Sequence, residues 1–261
     1  MDMTELIRTR KSVRTFDGTA VSDDDIKRLT EYTRSITNPY DIPVEFVLLD
    51  AAKYGLSSPV IQGAQMYIAG KVKKMPHCEE AYGYSFEKMV LYAWSLGIGT
   101  TWIGGTMDRK AFEKAAGIKD GEIMPCISPL GHPARKRSVK EAAMRAGVRA
   151  DKRKDGSELF FENDFDTPLK IKDSTTAAAL EAVRLAPSAV NKQPWRILRC
   201  GTRYHFYEKH TLHSPNVAWD IQRVDMGIAL CHFMDITGGV LTVDDPRVDA
   251  DDMEYIATVE Y

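Results

Sequence analysis

Arg10, Ser12 and Arg14 alternate along "RTRKSVRTF" (Arg8 to Phe16). Two guanidinium groups with a hydroxyl between them are donors of the kind that hold a phosphate. Late in the chain, "APSAVNKQPWRIL" (from Ala186) sets Pro187, Ser188, Asn191, Gln193 and Pro194 between an apolar helix-like run and an apolar strand-like one. Two prolines remove two backbone donors and forbid a continuing helix, so Ser188, Asn191 and Gln193 are available to something outside regular secondary structure. A third stretch, "LGIGTTWIGG" (Leu96 to Gly105), offers the amides of Gly104 and Gly105, which a ligand can approach because no side chain stands in the way. Each has a plainer role open to it: a solvated strand edge for the arginines, a helix-to-strand turn for the proline loop, core packing for Trp195.

Composition narrows the partners. The 261 residues are 44% hydrophobic and 28% charged, enough for one large or two small domains with a real core. With 35 basic and 37 acidic residues, no global field favours nucleic acid or an anionic membrane, so any anion site is local. No run of 18 apolar residues occurs and "MDMTELIRTRKS" is too polar for a secretory signal, which reads as a cytoplasmic chain. Cys78, Cys126, Cys200 and Cys231 lie far apart without a Cys-x-x-Cys pair and read as reduced thiols. His205, His210 and His213 are spaced five and three apart, which matches no common metal pattern, so no metal is expected. "GIGTTWIGG" has Trp102 where a dinucleotide fingerprint needs its third glycine and follows a helix instead of a strand, so it is not a Rossmann turn.

The elements that must position these residues come twice. "VSDDDIKRLTEYTRSITNPYDIPVEFVLLD" (from Val21) and "IKDSTTAAALEAVRLAPSAVNKQPWRILRC" (from Ile171) superpose without a gap, Leu29 on Leu180, Pro43 on Pro194, Phe46 on Ile197. In each, a capping residue (Ser22 or Asp173) opens an apolar run at helical spacing, and an apolar strand follows the second proline. A long apolar helix then follows in both copies, "YSFEKMVLYAWSLGIG" (from Tyr84) and "VDMGIALCHFMDITGG" (from Val224). The chain therefore divides into a first half (1–133), a basic connector (134–158) and a second half (159–261). The copies are complementary. On the same register Arg10 meets Phe161 and Arg14 meets Phe165, while "ITNPYDIPVEF" stands where the second copy has its polar loop.

At these residues the sequence resembles the FMN-dependent nitroreductase family, in particular members with two fused nitroreductase-like halves. The motifs that carry the resemblance are "RTRKSVRTF", "LGIGTTWIGG", "PLGHPARKR" (Pro129 to Arg137) and "APSAVNKQPWRIL". The resemblance implies an α+β sandwich, a tandem pseudo-dimer with a mostly antiparallel sheet in each half and the long helices packed between them. It also implies one FMN between the halves of a monomer, because only one pairing of basic cluster and Pro-Ser loop is intact.

By the same resemblance, Arg10 holds the phosphate with Arg135 and Arg137 as a second pair, and Ser12 donates to phosphate or ribityl oxygen. Arg14 supplies a cation near N1 and O2, and Gly104 and Gly105 turn amides toward N5. Pro187, Ser188, Ala189 and Asn191 wall the ring and ribityl chain from the other half, and Lys11 reaches the cofactor or faces water. The implied reaction is ping-pong transfer from NAD(P)H to a nitro- or quinone-type acceptor, with no protein acid or base required. Ala189 replaces a serine common in relatives, and Gly104 an acidic residue found in some, so the acceptor is not legible. Dehalogenation, enone reduction, flavin breakdown and a non-enzymatic flavin-binding module stay open as alternatives.

Overall fold

The computed structural model describes residues 2–212, 219–250 and 252–261. The first half runs α1 (Met3–Thr9), α2 (Asp23–Ser35), β1 (Glu45–Asp50), α3 (Ala51–Tyr54), β2 (Met66–Lys73), α4 (Cys78–Ser95), α5 (Arg109–Ala116), β3 (Glu122–Ile123) and β4 (Ile127–Leu130). The connector carries α6 (Val139–Gly147). The second half runs β5 (Phe160–Glu162), α7 (Ser174–Leu185), β6 (Trp195–Cys200), β7 (Arg203–Lys209), α8 (Ile221–Thr237), β8 (Val240–Thr242) and β9 (Met253–Glu260). The order α2, β1, β2, α4, β4 is thus echoed by α7, β6, β7, α8, β9.

Local chemistry explains where the repeated helices begin. Ser22 Oγ accepts from Asp25 N at 3.1 Å to cap α2, and Asp173 Oδ1 accepts from Thr176 N at 2.7 Å to cap α7. Leu29 and Leu180, equivalent on the gapless register, are both fully buried. The long helices begin earlier than the apolar periodicity predicts, α4 at Cys78 and α8 at Ile221.

In the first sheet β2 lies between β1 and the pair β3 and β4, all antiparallel, with Val47 opposite Ala69 and Ile68 opposite Ser128. The second sheet has the order β5-β6-β7-β9-β8 and is antiparallel except for β5, which runs parallel to β6. The α+β sandwich and the mostly antiparallel sheets are therefore as the sequence predicts.

Between the sheets α4 and α8 are buried on nearly every face, as helices with apolar residues all round must be. They cross at two glycines. A Cβ on Gly83 would overlap the carbonyl oxygen of Val224, and one on Gly227 would overlap that of Glu80. The contact is reciprocal, as in a two-fold interface where the same patch meets itself. Among the described residues, no helix is long and apolar enough to cross a membrane.

Candidate functional site

Three of the four motifs are joined by their backbones. The segment after α1 runs extended, with Val13 N donating to Thr100 O at 2.8 Å, and Gly99 N donating to Gly131 O at 2.8 Å. On the other side Ala134 N donates to Thr15 O and Asp17 N to His132 O, both at 3.0 Å. Glycine is required where these segments touch. A Cβ on Gly99 would come 2.9 Å from the Val13 side chain, and one on Gly131 would come 2.8 Å from the Phe16 ring.

Arg10 caps the C-terminus of α1 through its amide and turns its side chain inward to 6% exposure. Its Nε is buried with no hydrogen-bond acceptor among the described residues, 3.9 Å from Glu87 Oε1. Glu87, itself fully buried on α4, accepts from Trp102 Nε1 through Oε2 at 3.0 Å and faces His232 Nε2 through Oε1 at 3.0 Å. Trp102 stands two residues before Gly104, so this carboxylate links the arginine to the glycine loop.

Beyond Trp102, the amides of Gly104 and Gly105 donate to no acceptor among the described residues. Gly105 is exposed, and a Cβ on Gly104 would lie 3.3 Å from Cys126 Sγ and 3.5 Å from Ile221 Cδ1. Ser12 is half-buried with a hydroxyl that bonds to no described residue, and Lys11 is exposed. Burial lowers the pKa of the Arg14 guanidinium, an effect that Glu141 opposes and Arg145 adds to.

The connector departs from a solvated linker. Ser138 Oγ accepts from Glu141 N at 3.1 Å to cap α6, and the buried Glu141 carboxylate accepts from Thr15 Oγ1 at 2.7 Å. Arg135 and Arg137 are exposed, and Arg137 Nε lies 3.7 Å from Glu141. Arg153, whose pKa is lowered first by burial and then by Arg10, is a cation close enough to Arg10 for their charges to interact. Arg153 is held by the carbonyls of Ala150, Lys152 and Leu185 and by Asn191 Oδ1 at 3.3 Å. The sequence reading missed it inside a charge-dense run, although "SVKE" (Ser138 to Glu141) carried the capping-box pattern of a built-in helix.

The Pro-Ser loop holds that connector. Asn191 Nδ2 donates to the carbonyls of Arg149 at 2.8 Å and Lys152 at 2.9 Å, and Gln193 Oε1 accepts from Lys154 N at 2.9 Å. Asn191 is therefore engaged by protein instead of standing free for a ligand. Ser188 Oγ accepts from Gln193 N at 2.9 Å, and both carboxylate oxygens of Asp225 accept from Ala189 N at 3.0 Å. Val190, Asn191 and Gln193 all have positive φ, 48°, 57° and 51°. For a β-branched valine this is a costly conformation, kept where the surroundings impose it. Trp195 is wholly buried, as core packing requires.

The positions that the register pairs with the basic cluster and the Pro-Ser loop hold side chains packed on or bonded to protein. Phe161 packs edge-on to Phe165 with centroids 5.5 Å apart, and Phe165 to Tyr207 at 5.1 Å. Asn38 Nδ2 is spent on Ile42 O at 2.7 Å and Ser85 Oγ at 3.1 Å, and Tyr40 stacks on His77. His205 bonds Thr258 Oγ1 at 2.7 Å, His210 turns to other residues, and His213 lies outside the described residues.

The chain matches the family model described as "Putative TM nitroreductase" over residues 2–236. Among solved structures it resembles a "putative nitroreductase" from Thermotoga maritima at 21% identity and TM-score 0.63, covering 100% of this chain and 94% of that one. It also aligns with a nitroreductase family protein from Clostridium novyi at 20% identity and TM-score 0.45, covering 52% of this chain and 87% of that one. An FMN-dependent nitroreductase from Clostridium difficile aligns at 14% identity and TM-score 0.44, covering 51% and 88%. No curated protein matches. A family model that spans nine-tenths of the chain, on a full-length solved likeness of the same fold, makes this protein a member of the nitroreductase family of oxidoreductases.

Proposed function

We propose that this protein is an FMN-dependent oxidoreductase that takes hydride from NADH or NADPH and passes the electrons to a nitro- or quinone-type acceptor by a ping-pong route. It acts in the cytoplasm as a monomer whose halves, divided near 133 and 159, enclose one flavin. The observation that carries this reading is the buried Nε of Arg10, without an acceptor among the described residues and tied through Glu87 and Trp102 to two glycine amides that donate to no described residue.

These donors fit FMN. Arg10 and Arg153 are the cations for its phosphate, and the free hydroxyl of Ser12 donates to phosphate or ribityl oxygen. Arg14 would support negative charge at the N1 and O2 end of the ring, and the Gly104 and Gly105 amides would be donors available to N5. Pro187, Ser188 and Ala189 form the opposite wall, while Asn191 keeps Arg153 in place. When bound, the flavin would supply the hydride acceptor and the electron store. The protein residues bind and orient it, and water can supply the proton.

A visible spectrum of the purified chain, followed by anaerobic titration with NADH and NADPH, tests the proposal. A flavin spectrum bleached by one equivalent of either nucleotide and restored by a quinone is the expected result. A yellow protein that neither nucleotide bleaches would leave a flavin-binding module instead.

A further inference from the structure

We propose that Glu208, His210 and Asp220 form a binding site for one divalent cation of the zinc type, separate from the flavin reading and independent of it. The three ligand atoms come from the end of β7, the residue just after it, and the N-cap of α8, and all lie within 4.8 Å of one another. His210 Nδ1 is 3.0 Å from Glu208 Oε1 and 3.6 Å from Asp220 Oδ2. Two atoms each about 2.1 Å from a tetrahedral zinc ion stand about 3.4 Å apart, so these separations need little movement to accept one.

What points to a ligand is Glu208. Its side chain is fully buried, yet neither carboxylate oxygen has a hydrogen-bond donor among the described residues. The imidazole faces it at ion-pair range without donor geometry, which is how two ligands of one ion stand. A buried carboxylate without donors is costly unless a positive charge answers it.

The surroundings supply an excess of negative charge. Glu80, Glu208, Asp220 and Glu254 gather here, and the guanidinium facing them, Arg223, is shared between Glu80 and Glu254. A proton on His210 would leave carboxylates unanswered, whereas a divalent ion with neutral imidazole answers both Glu208 and Asp220.

The remaining atoms are arranged to orient ligands. His210 Nε2 lies 3.3 Å from Glu254 Oε2, the outer carboxylate that fixes a metal-bound histidine's tautomer. Asp220 accepts from Gln222 N with Oδ1 at 2.8 Å, which leaves Oδ2 for the site. His210 and Asp220 are partly exposed, so an ion has an entry path and a coordination position open to water. Bound there, it would pin the start of α8, whose Ile221 neighbours Gly104.

The test is calorimetric titration of the chelator-treated, desalted full chain with Zn²⁺, repeated with Co²⁺ while its d–d absorption is followed. One ion per chain is expected for each metal. His210→Ala and Glu208→Gln should weaken Zn²⁺ binding at least tenfold, and Glu254→Gln by about 10–100-fold, the range for an outer-shell partner. His210 is half-exposed, so its alanine variant keeps the test open if Glu208→Gln fails to fold. Absence of saturable Zn²⁺ binding would mean an ion-pair cluster only and overturns the proposal, as does binding unchanged in His210→Ala.

Discussion

Glu87 on α4 and His232 on α8 meet across the seam between the halves, Oε1 3.0 Å from Nε2, with neither side chain exposed. The other ring nitrogen of His232 faces Ala182 O at 2.7 Å and must donate to it, so a proton also sits between His232 Nε2 and Glu87. Glu87→Ala strands His232, Trp102 and Arg10 together, and should cost about 3–5 kcal/mol, the range for breaking a buried charged pair. A double-mutant cycle with His232→Ala in urea reads the coupling. A coupling energy near zero would show that the two residues are only neighbours.

Arg10 reaches into the core, its side chain 6% exposed. If it holds the FMN phosphate, Arg10→Ala weakens flavin binding by about 1.5–3 kcal/mol, the range for a charged hydrogen bond. Arg135→Ala and Arg137→Ala, both at exposed positions, should change it by less than about 0.5 kcal/mol. Fluorescence quenching on titrating apoprotein with FMN compares the three, and an equal loss in Arg137→Ala would return the phosphate to the glycine-proline turn.

Arg14 has a different proposed task. Arg14→Met should lower the flavin midpoint potential by about 30–60 mV while retaining most of the binding, if the lost interaction is ~1.5–3 kcal/mol in a two-electron couple. Anaerobic reduction against a reference dye measures this. An unchanged potential with collapsed affinity would reverse the roles of Arg10 and Arg14.

If the packed Phe161 and Phe165, which stand where Arg10 and Arg14 do in the first copy, exclude a second cofactor, each chain binds one flavin. Calorimetry of apoprotein with FMN should saturate at one equivalent and be unaffected by dilution, and two equivalents would refute the decayed-site argument.

Asp225 should make stability fall as pH rises. Burial raises its pKa well above the ordinary 3.8, with Glu208 and Asp220 adding to the effect and the Ala189 amide opposing it. A raised folded-state value means stability that is complete below the unfolded pKa and lost as pH climbs through the folded one. Asp225→Asn keeps an acceptor for Ala189 N, so its melting temperature relative to wild type should climb as pH rises above the ordinary carboxylate range. A variant less stable by the same margin at every pH would mean that the carboxylate is needed ionised.

Much of this was legible because it is local. Ser22 and Asp173 announce their helices, and the gapless register pairs Leu29 with Leu180. Arg153 was not legible, because its place depends on carbonyls and on Asn191, 38 residues away, and nothing local distinguishes it from a solvated cation. Asn191 misled for the same reason: a free polar side chain in sequence is satisfied by a distant backbone in space. Glu208 sits in a strand among aromatics, and only the fold brings Asp220 to it.

The reciprocal glycine crossing also bears on how the chain is made. About 140 residues separate the end of α4 from the end of α8. At roughly 5–20 residues per second, a ribosome needs about 7–28 s to deliver the second helix after the first is complete. Throughout that interval the face of α4 that carries Gly83 and Glu87 lacks α8, although α1, α2 and β2 are already there to cover its other sides. An apolar face left uncovered during synthesis is the kind of surface that aggregates, so the seam that stabilises the finished molecule is the one exposed longest while the chain is made.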